Sequence, residues 1–215
     1  MFSQLLSVFL QSHCPFCKRT QSESVCQYCW ANLLSCQLKK HDRRHWWGET
    51  PVFAWGRYEG QLKRAIAIMK YHNHPEIGVT LGELLARAWL TSNLTEFEKI
   101  SVIPIPLHHH KLKERGFNQA EKIARGFCQL TGYELCDCTL IRVKETKAMF
   151  DLNPEERTQN MQGAFRLNKK LPQHPVLLLD DIYTKGTTVK ESAKILRRNG
   201  VNVMGSVVVA KTSKF

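Results

Sequence analysis

The sequence predicts an α/β fold in two parts: a parallel sheet with flanking helices over residues 48–215, preceded by a small cysteine-bearing module over residues 1–47. Three observations lead there. From Val52 onward, strand-length apolar runs alternate with segments of helical period, the pattern of right-handed βαβ units whose helices cover both faces of a sheet. Val176 to Leu179 is an unbroken apolar run that fits a strand buried on both faces. Ahead of all this stand Cys14-Pro-Phe-Cys17 and Cys26-Gln-Tyr-Cys29, two Cys-x-x-Cys knuckles able to converge on one tetrahedral ion.

The N-terminal module comes first. Phe2 to Phe9 reads as a short apolar helix, the knuckles follow, and Trp30 to Leu38 reads as a second short helix. A redox Cys-x-x-Cys comes singly beside a βαβ unit, so paired knuckles ahead of any such unit favour a structural Zn²⁺ held by Cys14, Cys17, Cys26 and Cys29. Cys36, His13, His41 and His45 are close enough in the chain to stand in as ligands. Cys128, Cys136 and Cys138 lack the spacing, and Cys128 fits a buried helix face as a small apolar residue. Lys39 to Trp47 mixes basic and aromatic residues. Such a stretch can track a nucleic-acid backbone and stack bases; the other reading, slightly favoured, is a solvated linker whose tryptophans pack on the next domain.

In the larger part, Val52 to Tyr58 alternates as a strand. Gln61 to Tyr71 and Leu81 to Leu90 carry helical spacing, and Ile100 to Ile105 is a strand whose late prolines, Pro104 and Pro106, suit a strand end entering a loop. A helix follows with Asn118 and Glu121 as its cap pair and Ile123, Ala124 and Phe127 on one face. Residues 139–165 are mixed and polar. Strand 176–179, helix 188–199 and strand 203–209 close the chain, with Thr188 and Glu191 fitting a capping box.

Composition sets outer limits. The 215 residues carry 31 Lys and Arg against 19 Asp and Glu, a net charge of +12. That excess suits phosphorylated ligands or nucleic acid, although a solvated basic surface has the same count. No apolar run approaches the ~20 residues of a membrane span. The stretch Leu5 to Leu10 is short, lacks a basic flank and shows no cleavage site, so no signal peptide is expected. Zinc-type cysteine spacing agrees with a reducing compartment, and the expected location is cytoplasmic.

The richest chemistry lies at Asp180-Asp181-Ile-Tyr-Thr184-Lys185-Gly186-Thr187-Thr188. Two carboxylates at a strand end can accept hydrogen bonds from neighbouring sugar hydroxyls. The small-residue turn opens a helix whose free N–H groups and dipole favour a phosphate. No Gly-x-x-x-x-Gly-Lys-[Ser/Thr] loop is present. The plain alternative is a buried strand ending in a capping or Mg²⁺-binding acidic pair.

This segment resembles the phosphoribosyl pyrophosphate (PRPP) signature of type I phosphoribosyltransferases. The resemblance implies that Asp180 and Asp181 bind the ribose hydroxyls, that Thr184, Lys185, Gly186, Thr187 and Thr188 wrap the 5′-phosphate, and that Mg²⁺ accompanies PRPP. Further segments narrow it: Tyr58-Glu59-Gly60-Gln61-Leu62-Lys63 with Lys70-Tyr71; Ile103-Pro104-Ile105-Pro106-Leu107 with Arg115-Gly116-Phe117-Asn118-Gln119-Ala120; and Arg157, Asn160 and Gly163-Ala164-Phe165. With the Cys₄ module, this order resembles the ComF (GntX-like) family of competence and DNA-utilisation proteins over nearly the whole chain. It implies a zinc-bearing phosphoribosyltransferase-like protein of natural transformation, with Pro106 to Lys111 and Arg115 on the pyrophosphate side. The partners it implies are PRPP and a DNA-uptake helicase or other competence protein, while the basic-aromatic stretch 39–47 and His108-His109-His110-Lys111 favour contact with single-stranded DNA. Lys111, Arg115 and Lys144 are the cations available to a leaving pyrophosphate. One departure is visible: Met149 stands where the family usually has glutamine. Ribosyl transfer with Asp180 and Asp181 as catalytic residues, and a non-catalytic PRPP- or DNA-binding module, both fit; a structural adaptor docking through its zinc module is a third possibility. The acceptor is not legible.

Overall fold

In a computed structural model of the chain, residues 12–21, 25–94, 97–145, 154–168 and 170–212 are described. The expected helix at Phe2–Phe9 and the departure at Met149 lie outside them. The centre is a six-stranded sheet in the order β3-β4-β10-β9-β5-β6, formed by β3 (Arg44–His45), β4 (Val52–Arg57), β5 (Ser101–Pro104), β6 (Glu134–Leu135), β9 (Val176–Tyr183) and β10 (Val203–Lys211). Strands β4, β10, β9, β5 and β6 run parallel, and β3 is an antiparallel edge. The expected parallel α/β sheet is present, with one antiparallel strand added from the basic stretch.

The strands separate two apolar layers. Leu177, Leu179, Val207 and Val209 face helices α2 (Gly60–Tyr71), α3 (Glu76–Leu90) and α5 (Gln119–Thr131), packing with Leu62, Leu85 and Phe127. Val176, Leu178 and Ile103 face α7 (Thr187–Arg198), with Val189, Ala193 and Leu196. The alternation is that of a strand covered on both sides, as the run 176–179 predicts.

Several boundaries differ from expectation. β9 runs on to Tyr183 rather than ending at Leu179, because Asp180 pairs with Val208 and Ile182 with Ala210 on β10. Tertiary pairing overrides the low strand preference of aspartate. Helix α3 begins at Glu76, five residues before the expected start, with Pro75 at its N-cap. It crosses α5 at close range: a Cβ on Gly82 would run into the carbonyl oxygen of Ile123, and one on Gly126 into that of Val79. The sequence also hides a short helix, α4 (His109–Arg115), and a small sheet of β7 (Leu140–Arg142) against β8 (Phe165–Leu167), with α6 (Pro154–Met161) between them.

The N-terminal module holds a two-stranded sheet, β1 (Ser12–His13) with β2 (Thr20–Gln21), and helix α1. That helix spans Gln27–Leu34, not Trp30–Leu38: the second knuckle leads straight into it, and Gln37 and Leu38 instead turn to meet β4. Phe16 and Leu33 belong to the same buried cluster as Leu62, Ile66 and Leu81. The two tryptophans of the basic stretch part company. Trp46 packs on Trp89, ring centroids 5.2 Å apart, while Trp47 is 62% exposed.

Candidate functional site

The acidic pair lies where the sheet changes width. Pro104 is the last residue of β5 to pair with β9, opposite Leu179, and the N–H of Ile105 donates to the carbonyl of Leu179 at 2.9 Å. Beyond that point, among the described residues, β9 pairs with β10 alone. Asp180 and Asp181 therefore stand at the open carboxyl end of a central strand, beside the loop that begins at Pro106. Such a strand end is where open α/β sheets take their ligands.

The two carboxylates have opposite surroundings. Asp181 is buried, ion-paired through Oδ2 with Lys70 of α2, and its Oδ1 accepts from Gln119 Nε2 at 3.4 Å. Burial works to raise its pKa, but the Lys70 ammonium, with bonds from Asp180 and Gln119, overrides burial and holds it below the usual carboxylate value. Asp180 receives the opposite treatment. Burial, and then the charge of Asp181 beside it, hold its carboxyl well above the usual value, while its Oδ1 accepts the N–H of Asp181 at 2.8 Å. Burial would lower the pKa of Lys70, yet Asp181 raises it. Neighbouring acids thus divide into one whose charge is held by its partners and one whose ionisation is disfavoured.

After Tyr183 the chain turns through Thr184 and Lys185, both exposed, to Gly186, which has φ 73° and caps α7. A Cβ at Gly186 would strike the Tyr183 ring, so glycine answers both the left-handed backbone and the crowding. The helix starts at Thr187 with no side-chain cap among the described residues. The expected capping box of Thr188 and Glu191 does not form: Thr188 already lies inside the first turn, its carbonyl accepting from Ser192 Oγ at 2.9 Å. The first N–H groups of α7 consequently lack the side-chain acceptor that the capping box would have supplied, and a helix N-terminus in that condition suits an anion.

The Arg115-to-Ala120 segment supplies the other wall. Asn118 caps α5, accepting from the N–H of Ala120 at 3.1 Å, and ties back to the carbonyl of Ile105 at 3.0 Å. Glu121 turns to Arg125 at 2.8 Å instead of completing the expected cap pair. Arg115 donates to Gln119 Oε1 and lies 5.9 Å from the Tyr71 ring centroid; among the described residues it has no carboxylate partner at ion-pair distance. One connected set, Tyr71–Arg115–Gln119–Asp181–Lys70, thus joins three segments that are far apart in the sequence. The roles of Lys70 and Gln119 were not legible from spacing; their place inside two of the family-specific segments was the available signal. Pro106 is half-buried at the loop start. Lys111 is exposed and lies on α4 rather than in a loop. Lys144 reaches the carbonyl of Gln159 at 3.2 Å.

In the N-terminal module, Cys14, Cys17, Cys26 and Cys29 bring their Sγ atoms within 4.8 Å of one another, with Cys17 and Cys26 at 3.5 Å. Tetrahedral thiolates at Zn–S of about 2.3 Å stand about 3.8 Å apart, so the cluster fits a structural zinc ion. Against the upward pull of burial, backbone bonds from Cys26, Cys17 and Phe16 lower the Cys14 thiol to about 6. Cys36, among the alternatives, is turned elsewhere, toward the carbonyls of Asn32 and Glu59.

Sheet order, the strand-end acidic pair and the glycine turn into α7 define a phosphoribosyltransferase-like domain, and a family model, the phosphoribosyl transferase domain, matches residues 112–214. Competence protein F of Haemophilus influenzae is 31% identical over 192 residues, covering 87% of this chain and 80% of that protein. Competence protein ComFC of Streptococcus pneumoniae is 26% identical over 198 residues, 88% and 76%. DNA utilization protein YhgH of Salmonella typhimurium is 28% identical over 145 residues, 66% and 64%. The chain belongs to the ComF family of type I phosphoribosyltransferase-like proteins. No described helix is long and apolar enough to cross a membrane.

Proposed function

We propose that this protein binds PRPP with Mg²⁺ at the carboxyl end of β9 and works in the uptake or use of external DNA, as the names of its relatives suggest. The observation that carries the reading is that Asp180 and Asp181, near the end of β9, are followed closely by the turn at Gly186 that opens α7 without a side-chain cap among the described residues. In it, the carboxylates accept the ribose 2′- and 3′-hydroxyls, and the N–H groups and hydroxyls of Thr184 to Thr188 take the 5′-phosphate. Lys70 keeps Asp181 charged and fixed, so no reorganisation is needed when the sugar arrives. Arg115, oriented by Gln119 and Tyr71, faces pyrophosphate together with Pro106 and Lys111. Carboxylate oxygens are the donors Mg²⁺ accepts, and the ion neutralises leaving-group charge when bound. Transfer of the phosphoribosyl group to an acceptor is then a matter of positioning and charge. A structural zinc in the Cys₄ cluster and a cytoplasmic setting complete the proposal.

The test is calorimetric titration of PRPP with Mg²⁺ into the native protein and an Asp180→Asn, Asp181→Asn double variant. The proposal expects binding that the variant loses; absence of binding to the native protein sinks it.

A second reading, a single-strand-binding module without catalysis, is favoured by one observation. A cleft of about 530 Å³ at the carboxyl ends of β4 and β10 is lined by His41, Arg44, Trp47, Arg57, Tyr58 and Lys211, with the acidic Asp42 and Glu59 beside them. Trp47 stands exposed over it with its ring 4.1 Å from that of His45. Salt-dependent binding to single strands without turnover of PRPP would select this reading.

A further inference from the structure

The three consecutive histidines at the start of α4 lie within the stretch Pro106 to Lys111 expected on the pyrophosphate side, but the PRPP reading gives their imidazoles no role. His108, His110 and Glu145 each bring one ligand atom within 4.8 Å of the others. Residues two apart in a regular helix point away from each other. Here His108 is the N-cap, extended at φ −64° and ψ 146°, and that bend turns its ring to within 4.9 Å of the His110 ring. Glu145 arrives from the segment after β7, its Oε2 2.9 Å from His110 Nδ1. His108 is only 6% exposed, and among the described residues its Nδ1 has no hydrogen-bond partner. A buried imidazole nitrogen without a partner costs stability unless something fills its lone pair. The exposed pair of His110 and Glu145 is worth too little to explain the gathering.

We propose that His108, His110 and Glu145 form a second metal site, separate from the Cys₄ cluster, for a divalent transition ion such as Co²⁺, Ni²⁺ or Zn²⁺. Two imidazoles and one carboxylate suit borderline ions of this kind, whereas Mg²⁺ prefers oxygen donors alone. Three protein ligands leave a coordination position open, available to water or to an anionic group at the adjoining Pro106 loop.

The full chain, loaded with one equivalent of Zn²⁺, is titrated with Co²⁺ and followed by visible absorption. The expected result is one further equivalent that gives d–d bands without thiolate charge transfer. His110→Ala and Glu145→Gln, both at exposed positions, weaken that equivalent by ~tenfold or more and keep the far-ultraviolet dichroism of the native protein. The proposal is overturned if no second equivalent binds, if Co²⁺ appears only in thiolate bands, or if both variants bind it like the native protein.

Discussion

Asp180 and Asp181 are adjacent in the chain and opposite in environment, and Lys70 makes the difference. Asp180 has its folded pKa raised, so its ionisation opposes folding: stability is greatest below its unfolded pKa and declines as pH rises through the folded value. Asp180→Asn removes that cost. It is expected to raise neutral-pH stability by about 1 kcal/mol, read by urea denaturation, while weakening PRPP binding at least ~tenfold through loss of charged hydrogen bonds. A variant both destabilised and fully binding would contradict the assignment. Asp181 runs the other way. Its pKa is lowered, so its contribution is present above the unfolded value of about 4 and is lost as pH falls through the folded one. Lys70→Met should cost about 3 kcal/mol at neutral pH by stranding a buried carboxylate. The same substitution should flatten the acid limb of the stability curve, and an unchanged limb would show that Asp181 draws its charge from elsewhere.

Among the elements, the crossing of α3 over α5 governs where the site walls stand, because α5 begins with the Asn118 cap and Gln119. Gly82→Ala puts a methyl against the Ile123 carbonyl. The helices must separate, and about 3 kcal/mol of overpacking cost is expected. Calorimetric melting reads the loss, and retention of the native midpoint would mean that the crossing is more compliant than its backbone contacts indicate. Helical periodicity finds both helices, since the buried stripe of each is local information. It does not find their separation, which depends on two glycines 44 positions apart in the numbering of the chain.

Across the whole molecule, the Cys₄ cluster is coupled to the main core through Phe16 and Leu33. Stripping metal with a chelator should therefore lower the melting temperature of the entire chain, by roughly 10 °C on the energetics of structural zinc, rather than release an independent module. An unchanged main transition would separate the two. The exposed Trp47 belongs to this scale as well, since its cleft is built from the N-terminal stretch, β4 and β10 together. If single strands bind there, Trp47→Ala weakens binding about tenfold, the worth of one stacked base, and the salt slope is kept.

The sequence by itself determined the α/β class, the metal-type cysteine spacing, the buried strand at Val176 to Leu179 and the position of the acidic pair beside a glycine turn. Each of these rests on neighbours within a few residues, where period, propensity and spacing act directly. The tertiary structure alone decided that β9 continues to Tyr183, that Arg44 and His45 join the sheet, that Lys70 and Gln119 meet Asp181, and that an N-cap histidine turns toward His110 and Glu145. Those contacts join residues from separate elements, or hang on a single bend in the backbone. Their energy appears only after the sheet has brought the pieces together, so no local pattern in the chain announces them.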